Sequence, residues 1–468
     1  MTDVAIIGAY GSAGVATAEI LSEREEIDSL YLIDDGDPGG GLCILRGCMP
    51  SKEVLSAAAH RYHARHDTRI EGSVSVDLDE VISIKDDHIH NFAEHRREAV
   101  HSLAENDNVE FIHGTAEFVD DHTIQVNNRE LPLDYIVIAS GSDVNIPDIE
   151  GIEDVNYMTS KDVLSATEFP ESGIVFGFGY VGLELVPYLS EAAEMDITVI
   201  EHDKRPLDRA DDRFGDEILD QYREEFDIDI LTETYEKTVT TNKDGSVSVT
   251  VETNGDTQTI TADQLFLFTG RNPTLSKLNL SATSIQVDEG WVNDTLQTRN
   301  ASHIYAAGDV IGDRMILHMA KEEGYLAGEN IIADINNQPL EEYDPLHHTV
   351  IFTGGSVYPY ASLGLTAAEA QDQGYDPVVV SREAKSDGVF KTKATPRGLA
   401  KLIVAQDGTV LGYHGLHYHA DVMAKSMQII LEREMQVQNI PDRAYHPTTP
   451  EILDGLFRDA KSKLPVSS

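Results

Sequence analysis

Cysteine is almost missing from this chain: 468 residues hold two, Cys43 and Cys48. A lone pair is poor support for a disulfide framework. A closed zinc site needs four ligands, and no second Cys-x-x-Cys or nearby His-x3-His completes one, so no metal is expected. Of a structural clip, a metal site and a redox centre, the last remains. Basic residues are also scarce, 35 against 82 acidic ones, for a net charge of −47. Such a surface has no basic stripe to hold phosphates, which excludes nucleic-acid binding. The acids are dispersed (Asp120-Asp121, Glu322-Glu323, Glu341-Glu342). Dispersed acid reads as a solvated surface whose self-repulsion molar salt screens, since the Debye length falls to about 3 Å at 1 M. A halophilic protein is therefore expected. Long apolar runs are missing too: none reaches the roughly 18 residues of a membrane span. The chain enters the strand Asp3-Val4-Ala5-Ile6-Ile7 with no basic leader before it, so a cytoplasmic enzyme without a membrane partner is expected.

What is present is a duplication. Val4 to Ile7, the glycine turn Gly8-Ala9-Tyr10-Gly11-Ser12-Ala13-Gly14, a helical stretch and Leu30 to Asp34 form one copy. Ile174 to Phe176, Gly177-Phe178-Gly179-Tyr180-Val181-Gly182, a helix and Ile197 to Glu201 form the other. Each reads strand, glycine turn, helix, strand, with an acid about 20 residues past the last glycine. That is a dinucleotide-binding fingerprint: glycines admit a pyrophosphate, the helix N-terminus stabilises its charge, and the acid takes ribose hydroxyls. The first copy is irregular, with an extra residue, Tyr10, between Gly8 and Gly11. Further turns punctuate strand ends at Ser140-Gly141-Ser142, Gly270-Arg271-Asn272-Pro273 and Gly308-Asp309. A helix is expected from about Leu317 to Ile332. From about Asp344 the pattern becomes β-rich hairpins and helices without a glycine fingerprint. The fold class is α/β: two Rossmann-like domains and a C-terminal α+β domain.

The cysteines lie in Gly40-Gly41-Leu42-Cys43 through Cys48-Met49-Pro50-Ser51-Lys52. Pro50 suits a first helical turn, so a helix begins near Cys48 and its dipole favours a thiolate there. With the two fingerprints, the Ala307-Gly308-Asp309 element and the terminal His446-Pro447-Thr448-Thr449-Pro450-Glu451, the chain resembles the FAD-dependent pyridine nucleotide–disulfide oxidoreductases over nearly its whole length. The resemblance implies an FAD domain from residues 1–145 and 263–340, an NAD(P) domain from 146–262 and a dimerisation domain from 341–468. It implies that Cys48 is the thiolate nearer the flavin and that Cys43, nearer solvent, attacks the substrate disulfide. His446 then gives the leaving sulfur its proton, oriented by Glu451. It further implies a homodimer whose active sites are shared, His446 reaching across, with Lys52 paired to Glu184 beside the flavin.

The same resemblance implies that the two dinucleotides are bound by Gly8, Gly11, Ser12, Gly14, Asp34, Gly41, Lys52, Ser140, Gly141, Gly177, Gly179, Tyr180, Gly182, Glu201, Arg205, Gly270, Arg271, Gly308 and Asp309, with Asp34 on the adenosine ribose and Asp309 on the ribityl chain of FAD, and Tyr180 covering the nicotinamide pocket. The resemblance to small-disulfide reductases favours NADPH. Glu201 locally favours NADH, because a carboxylate repels a 2′-phosphate, although Lys204, Arg205 and Arg209 follow it. The substrate is expected to be a small disulfide. No cysteine follows Cys48, which argues against Hg(II) reduction, and Glu19-Ile20 and Tyr325 stand where glutathione reductases carry arginines. Leu45-Arg46 in place of the common Asn-Val sets a cation beside the thiols, which suits a carboxylate-bearing disulfide. Together with the halophilic composition, the resemblance implies the bis-γ-glutamylcystine reductases of halophilic archaea and hence bis-γ-glutamylcystine as substrate, with dihydrolipoamide as the alternative. His88, His90, His95 and His101 read as solvated; His417 and His419 read as lining the substrate entrance or the dimer contact.

Overall fold

The computed structural model describes residues 2–443 and 445–465. Among the described residues the chain divides into two compact units. The first comprises Met1–Pro50, Ile84–Asn145 and Arg271–Pro345; the second comprises Ser51–Ser83, Ile146–Gly270 and Leu346–Ser468. Residues 51–83, assigned from sequence to the FAD segment, thus fall in the second unit. Their buried side chains explain this: Val54, Leu55, Ala58 and Tyr62 share a core with Val186, Tyr222 and Tyr358.

The first unit is built on a six-stranded sheet. Asp3–Ile7 lies between Ser29–Asp34 and Tyr135–Ile138, parallel to both, and Val109–His113 and Ala301–Ala306 extend the parallel array on either side. Val4, Ile6, Leu30, Leu32 and Val137 are buried near-continuously, as a parallel sheet covered on both faces requires. Helix Ser12–Leu21 packs along helix Leu317–Ile335. Their approach depends on glycine: a Cβ on Gly324 would fall 2.3 Å from the Ala13 carbonyl oxygen.

The second unit repeats the parallel design in Ser172–Phe176, Asp196–Ile200, Asp229–Leu231, Gln264–Leu267 and Tyr157–Thr159. It adds a three-stranded antiparallel meander from Thr234 to Ala262. The C-terminal part is an antiparallel five-stranded sheet, His348–Ile351, Tyr360–Gly364, Val410–His417, Gly398–Val404 and Val378–Glu383. Helices Ala420–Glu432 and Glu451–Lys463 cover it with Met423, Met427, Leu456 and Phe457. No helix among the described residues is long and apolar enough to cross a membrane.

Candidate active site

The two glycine turns are the same device built twice. Gly8 and Gly177 have φ of +96 and +92, and a Cβ on either would meet the carbonyl of the neighbouring strand, Ala139 at 2.2 Å and Phe268 at 2.6 Å. Gly14 and Gly182 sit where a Cβ would strike the first glycine's oxygen, at 2.2 and 2.4 Å. Gly11 and Gly179 cap helices Ser12–Leu21 and Tyr180–Glu191. In front of Gly179 nothing lies within 4 Å, leaving a helix N-terminus open to a pyrophosphate. The acids match as well. Asp34 accepts the amide of Tyr10 at 2.9 Å and that of Gly36 at 2.8 Å. Glu201 accepts that of Phe178 at 2.7 Å and that of Asp203 at 2.9 Å. Tyr10 therefore occupies the place of Phe178, directly before the capping glycine. The residue by which the first loop is longer is Ala9, not Tyr10. Burial raises the Asp34 pKa against these two amide bonds.

Tyr10 also explains Gly39 and Gly41 in the run Gly39-Gly40-Gly41. Its ring is buried, packs on Phe111 at 5.2 Å and bonds His101 Nε2 through its hydroxyl at 2.7 Å. A Cβ on Gly39 would fall 2.2 Å from that ring, and one on Gly41 (φ +73) 2.9 Å from the Tyr10 carbonyl oxygen. The glycines thus seat the cysteine segment against the first nucleotide loop. His101, read from sequence as a solvated histidine, is a partner of this ring, which only the long-range fold reveals.

Cys43 lies within the short helix Gly41–Arg46, and Cys48 opens the long helix Cys48–His66. No disulfide joins them; Cys43 is half-buried and Cys48 exposed. Cys48 stands at the N-terminal end of its helix, directly after Gly47. A hydrogen bond to Cys48, then burial, raises the Cys43 thiol well above its ordinary value, while Arg96 pulls it down. Sequence pointed to Arg46 as the nearby cation. Arg96, from helix Leu78–Leu103, also acts on the pair, and no local pattern announced it.

Asp309 Oδ2 accepts the Ser142 hydroxyl at 2.6 Å, and Ser142 Oγ accepts Arg271 Nε at 2.8 Å. Burial lowers the Arg271 pKa, with Asp309 opposing. Glu323, 6% exposed, accepts the Gly308 amide at 2.6 Å. Burial and the nearby Asp309 raise Glu323 to about 7 against that bond. Ser140 donates to the Thr274 carbonyl at 2.7 Å, and Gly141 and Gly270 hold positive φ with nothing within 4 Å of a Cβ. These donors, one acid at each strand end and open glycine faces fit two dinucleotides, FAD and a nicotinamide dinucleotide.

In the second unit Lys52 Nζ lies 2.6 Å from Glu184 Oε2 and 4.4 Å from the Phe352 ring centre. Glu184 Oε1 also accepts the Phe352 amide at 3.1 Å. Tyr180 is half exposed at its helix start. Arg205 is held by Asp216 at 2.5 Å and Asp212 at 3.3 Å. Past Glu201 a cleft of about 450 Å³ is lined by His202, Asp203, Lys204, Glu233, Tyr235 and Glu252, among others. Near the C-terminus His446 Nδ1 lies 2.9 Å from Glu451 Oε1, which also accepts the Thr448 amide at 3.0 Å. These two bonds lower the Glu451 pKa. The His446 ring is 77% exposed. In the first unit, Tyr325 donates to Glu19 at 2.8 Å, so those two positions present a carboxylate and a phenol. Among the described residues no cluster of three or more metal-ligating side chains occurs.

Comparison with known proteins agrees in kind. The chain is 31% identical to the mercuric reductase of Bacillus cereus over 86% of its own length, and spans 63% of that protein. It is 29% identical to the dihydrolipoyl dehydrogenase of Mycobacterium leprae, covering 89% of this chain and 90% of that one. It is 26% identical to dihydrolipoyl dehydrogenase 2 of Haloarcula marismortui, covering 97% and 95%. The HOCl-induced flavoprotein disulfide reductase RclA from Escherichia coli shares the fold, with a TM-score of 0.82 at 23% identity over 97% of this chain and 99% of that one. Residues 2–324 match the pyridine nucleotide-disulphide oxidoreductase family, and residues 349–456 match its dimerisation domain. Paired nucleotide turns, one redox-capable thiol pair and this match along two thirds of the sequence carry one conclusion: the chain belongs to the FAD-dependent pyridine nucleotide-disulphide oxidoreductase family.

Proposed function

We propose that this flavoprotein reduces a low-molecular-weight disulfide with electrons from a nicotinamide dinucleotide, working through Cys43 and Cys48. The carrying observation is the hydrogen-bonded dithiol at the start of helix Cys48–His66, seated by the glycine run against a dinucleotide loop. Gly8, Gly11, Ser12, Gly14, Asp34, Gly41, Lys52, Ser140, Gly141, Arg271, Gly308 and Asp309 would hold FAD. When bound, that cofactor supplies a two-electron carrier between nicotinamide and thiols. Gly177, Gly179, Tyr180, Gly182, Glu201 and Gly270 would hold the nicotinamide dinucleotide, with the cleft that begins at His202 as its adenosine end.

In the disulfide half of the cycle Cys43 gives its proton to His446 and attacks one substrate sulfur. A mixed disulfide forms, and His446 returns the proton to the departing thiolate. Cys48, as a thiolate, then attacks Cys43 Sγ, closing the Cys43–Cys48 bond and breaking the mixed disulfide, and the second half leaves as a thiolate that takes its proton from solvent. Glu451 fixes which nitrogen of His446 faces outward, since it occupies Nδ1. The dimerisation domain supports a homodimer. The exposure of His446 and of Tyr445, 77% and 90%, supports an active site shared between two copies.

NADH is the favoured dinucleotide on the site's geometry, against the NADPH that the resemblance favours. Both Glu201 oxygens are locked at the strand end by loop amides, and Arg205 is engaged by Asp212 and Asp216. The substrate is a disulfide carrying carboxylates, bis-γ-glutamylcystine first: Arg46 is exposed at the end of the Cys43 helix and Arg96 acts on the thiols. Dihydrolipoamide is the second reading, favoured by the near full-length similarity to dihydrolipoyl dehydrogenases. Anaerobic reduction with NADH and NADPH in molar salt, followed by turnover of bis-γ-glutamylcystine, lipoamide and glutathione disulfide, tests both choices. A long-wavelength thiolate–flavin band is expected after two-electron reduction. Its absence, or turnover unchanged in C43S, refutes the dithiol mechanism, and dominant lipoamide turnover refutes the substrate choice.

A further inference from the structure

His417 and His419 separate into two different residues. His417 is fully buried with both ring nitrogens used, Nε2 2.9 Å from the Tyr413 hydroxyl and Nδ1 3.0 Å from the Tyr418 carbonyl. Burial takes its pKa down to about 4, so it is a neutral packing residue. His419 is half-buried and holds a φ of +67, a left-handed conformation uncommon for residues other than glycine but one that asparagine, aspartate and histidine adopt more often than the rest. Its Nδ1 lies 3.1 Å from the Thr449 hydroxyl. Thr449 is itself buried and stands between His446 and Glu451 in the chain.

The loop presenting His446 is thus tied at two points. Glu451 holds the Thr448 amide and His446 Nδ1; His419 holds Thr449. The His419 ring is fixed in turn by stacking on Tyr418, centroids 3.8 Å apart, and Tyr418 meets His63 edge-on at 6.0 Å. Asp421, Lys393, His63 and His417 are ionisable groups that interact with His419. An imidazole that must deliver a proton to a departing sulfur works only within a narrow range of positions, and an exposed ring on an untied loop would lose that.

We infer that His419 is a positioning residue for proton transfer at His446, acting through Thr449. This rests on the role of His446 proposed above. The test uses the full-length, flavin-loaded protein in molar salt. His419→Gly removes the ring while leaving the left-handed backbone free of strain, and His419→Asn keeps an acceptor, Oδ1, where Nδ1 stood. The kcat for disulfide reduction is expected to fall about ten-fold in His419→Gly, the loss of one hydrogen bond's positioning, with KM and the rate of flavin reduction by NADH unchanged. His419→Asn should restore most of it. Thr449→Val should match His419→Gly, and the double variant should be no worse than either single one. Additive effects, equal loss in both half-reactions, or a His419→Gly enzyme as active as the parent overturn the inference. His446→Gln separates the two levels. If it leaves turnover intact, the role of His446 fails and this inference with it; if it cuts turnover while His419→Gly does not, only this inference fails.

Discussion

Gly179→Ala should separate folding from nucleotide binding in a single methyl group. Gly179 has φ −73 and ψ −160, values that alanine adopts, and nothing lies within 4 Å of the position its Cβ would take. The second unit should therefore fold as before and flavin content should be unchanged. The methyl would, however, stand at the helix N-terminus, where a pyrophosphate must approach the backbone. Charge-assisted hydrogen bonds to such an anion contribute about 1.5–3 kcal/mol each. Losing one predicts a 10- to 150-fold weaker dinucleotide. Gly182→Ala is the contrast, because its Cβ would fall 2.4 Å from the Gly177 oxygen. Turn and helix must then separate by about 1 Å to reach ordinary contact distance, so loss of fold is expected there. Stopped-flow reduction of the flavin across a range of NADH concentrations reads the apparent Kd, with dithionite as a donor that needs no nucleotide site. A Gly179→Ala protein with the parent Kd, or one that also loses dithionite-reducible flavin, would refute the reasoning.

Three further outcomes follow from the same geometry. Glu323 titrates at about 7 instead of 4.5. Between those values the folded chain holds a proton that the unfolded chain has released, so stability is full below 4.5 and falls as pH rises through 7. About 3 kcal/mol is involved. Glu323→Gln should flatten that slope in urea titrations followed by Trp291, which is buried in the first unit; an unchanged slope counts against it. Glu451→Ala should lower disulfide turnover about ten-fold while NADH-driven flavin reduction stays constant, because the His446 ring loses its Nδ1 partner. In the parent, whose Glu451 pKa is depressed, that support should disappear as pH falls through the folded value, so turnover should show an acid limb that Glu451→Ala lacks. Finally, with a net charge of −47, the thermal midpoint should rise steeply between 0.1 and 2 M KCl as self-repulsion is screened; a flat response would remove the halophilic reading.

The two nucleotide turns were legible in the sequence because their constraint is local: glycine at fixed spacing and an acid at the next strand end. Even the irregular first copy obeys it, since the Tyr10 amide meets Asp34 as the Phe178 amide meets Glu201. The cysteine segment and the His446–Glu451 spacing were legible for the same reason, five residues setting each pair apart. What the pattern missed depends on chain brought from far away. Ser142 links Asp309 to Arg271 across more than a hundred residues, Arg96 reaches the thiols from helix Leu78–Leu103, and Phe352 supports Glu184. The three-glycine run is the instructive case. In the sequence it is only the glycine setting of the two cysteines. Seated against the buried Tyr10 ring, with a Cβ excluded at 2.2 Å from Gly39, it is a packing surface. The glycines that look like freedom around the thiols are what fixes them to the nucleotide loop. A residue larger than glycine there would move the dithiol and the first dinucleotide turn together.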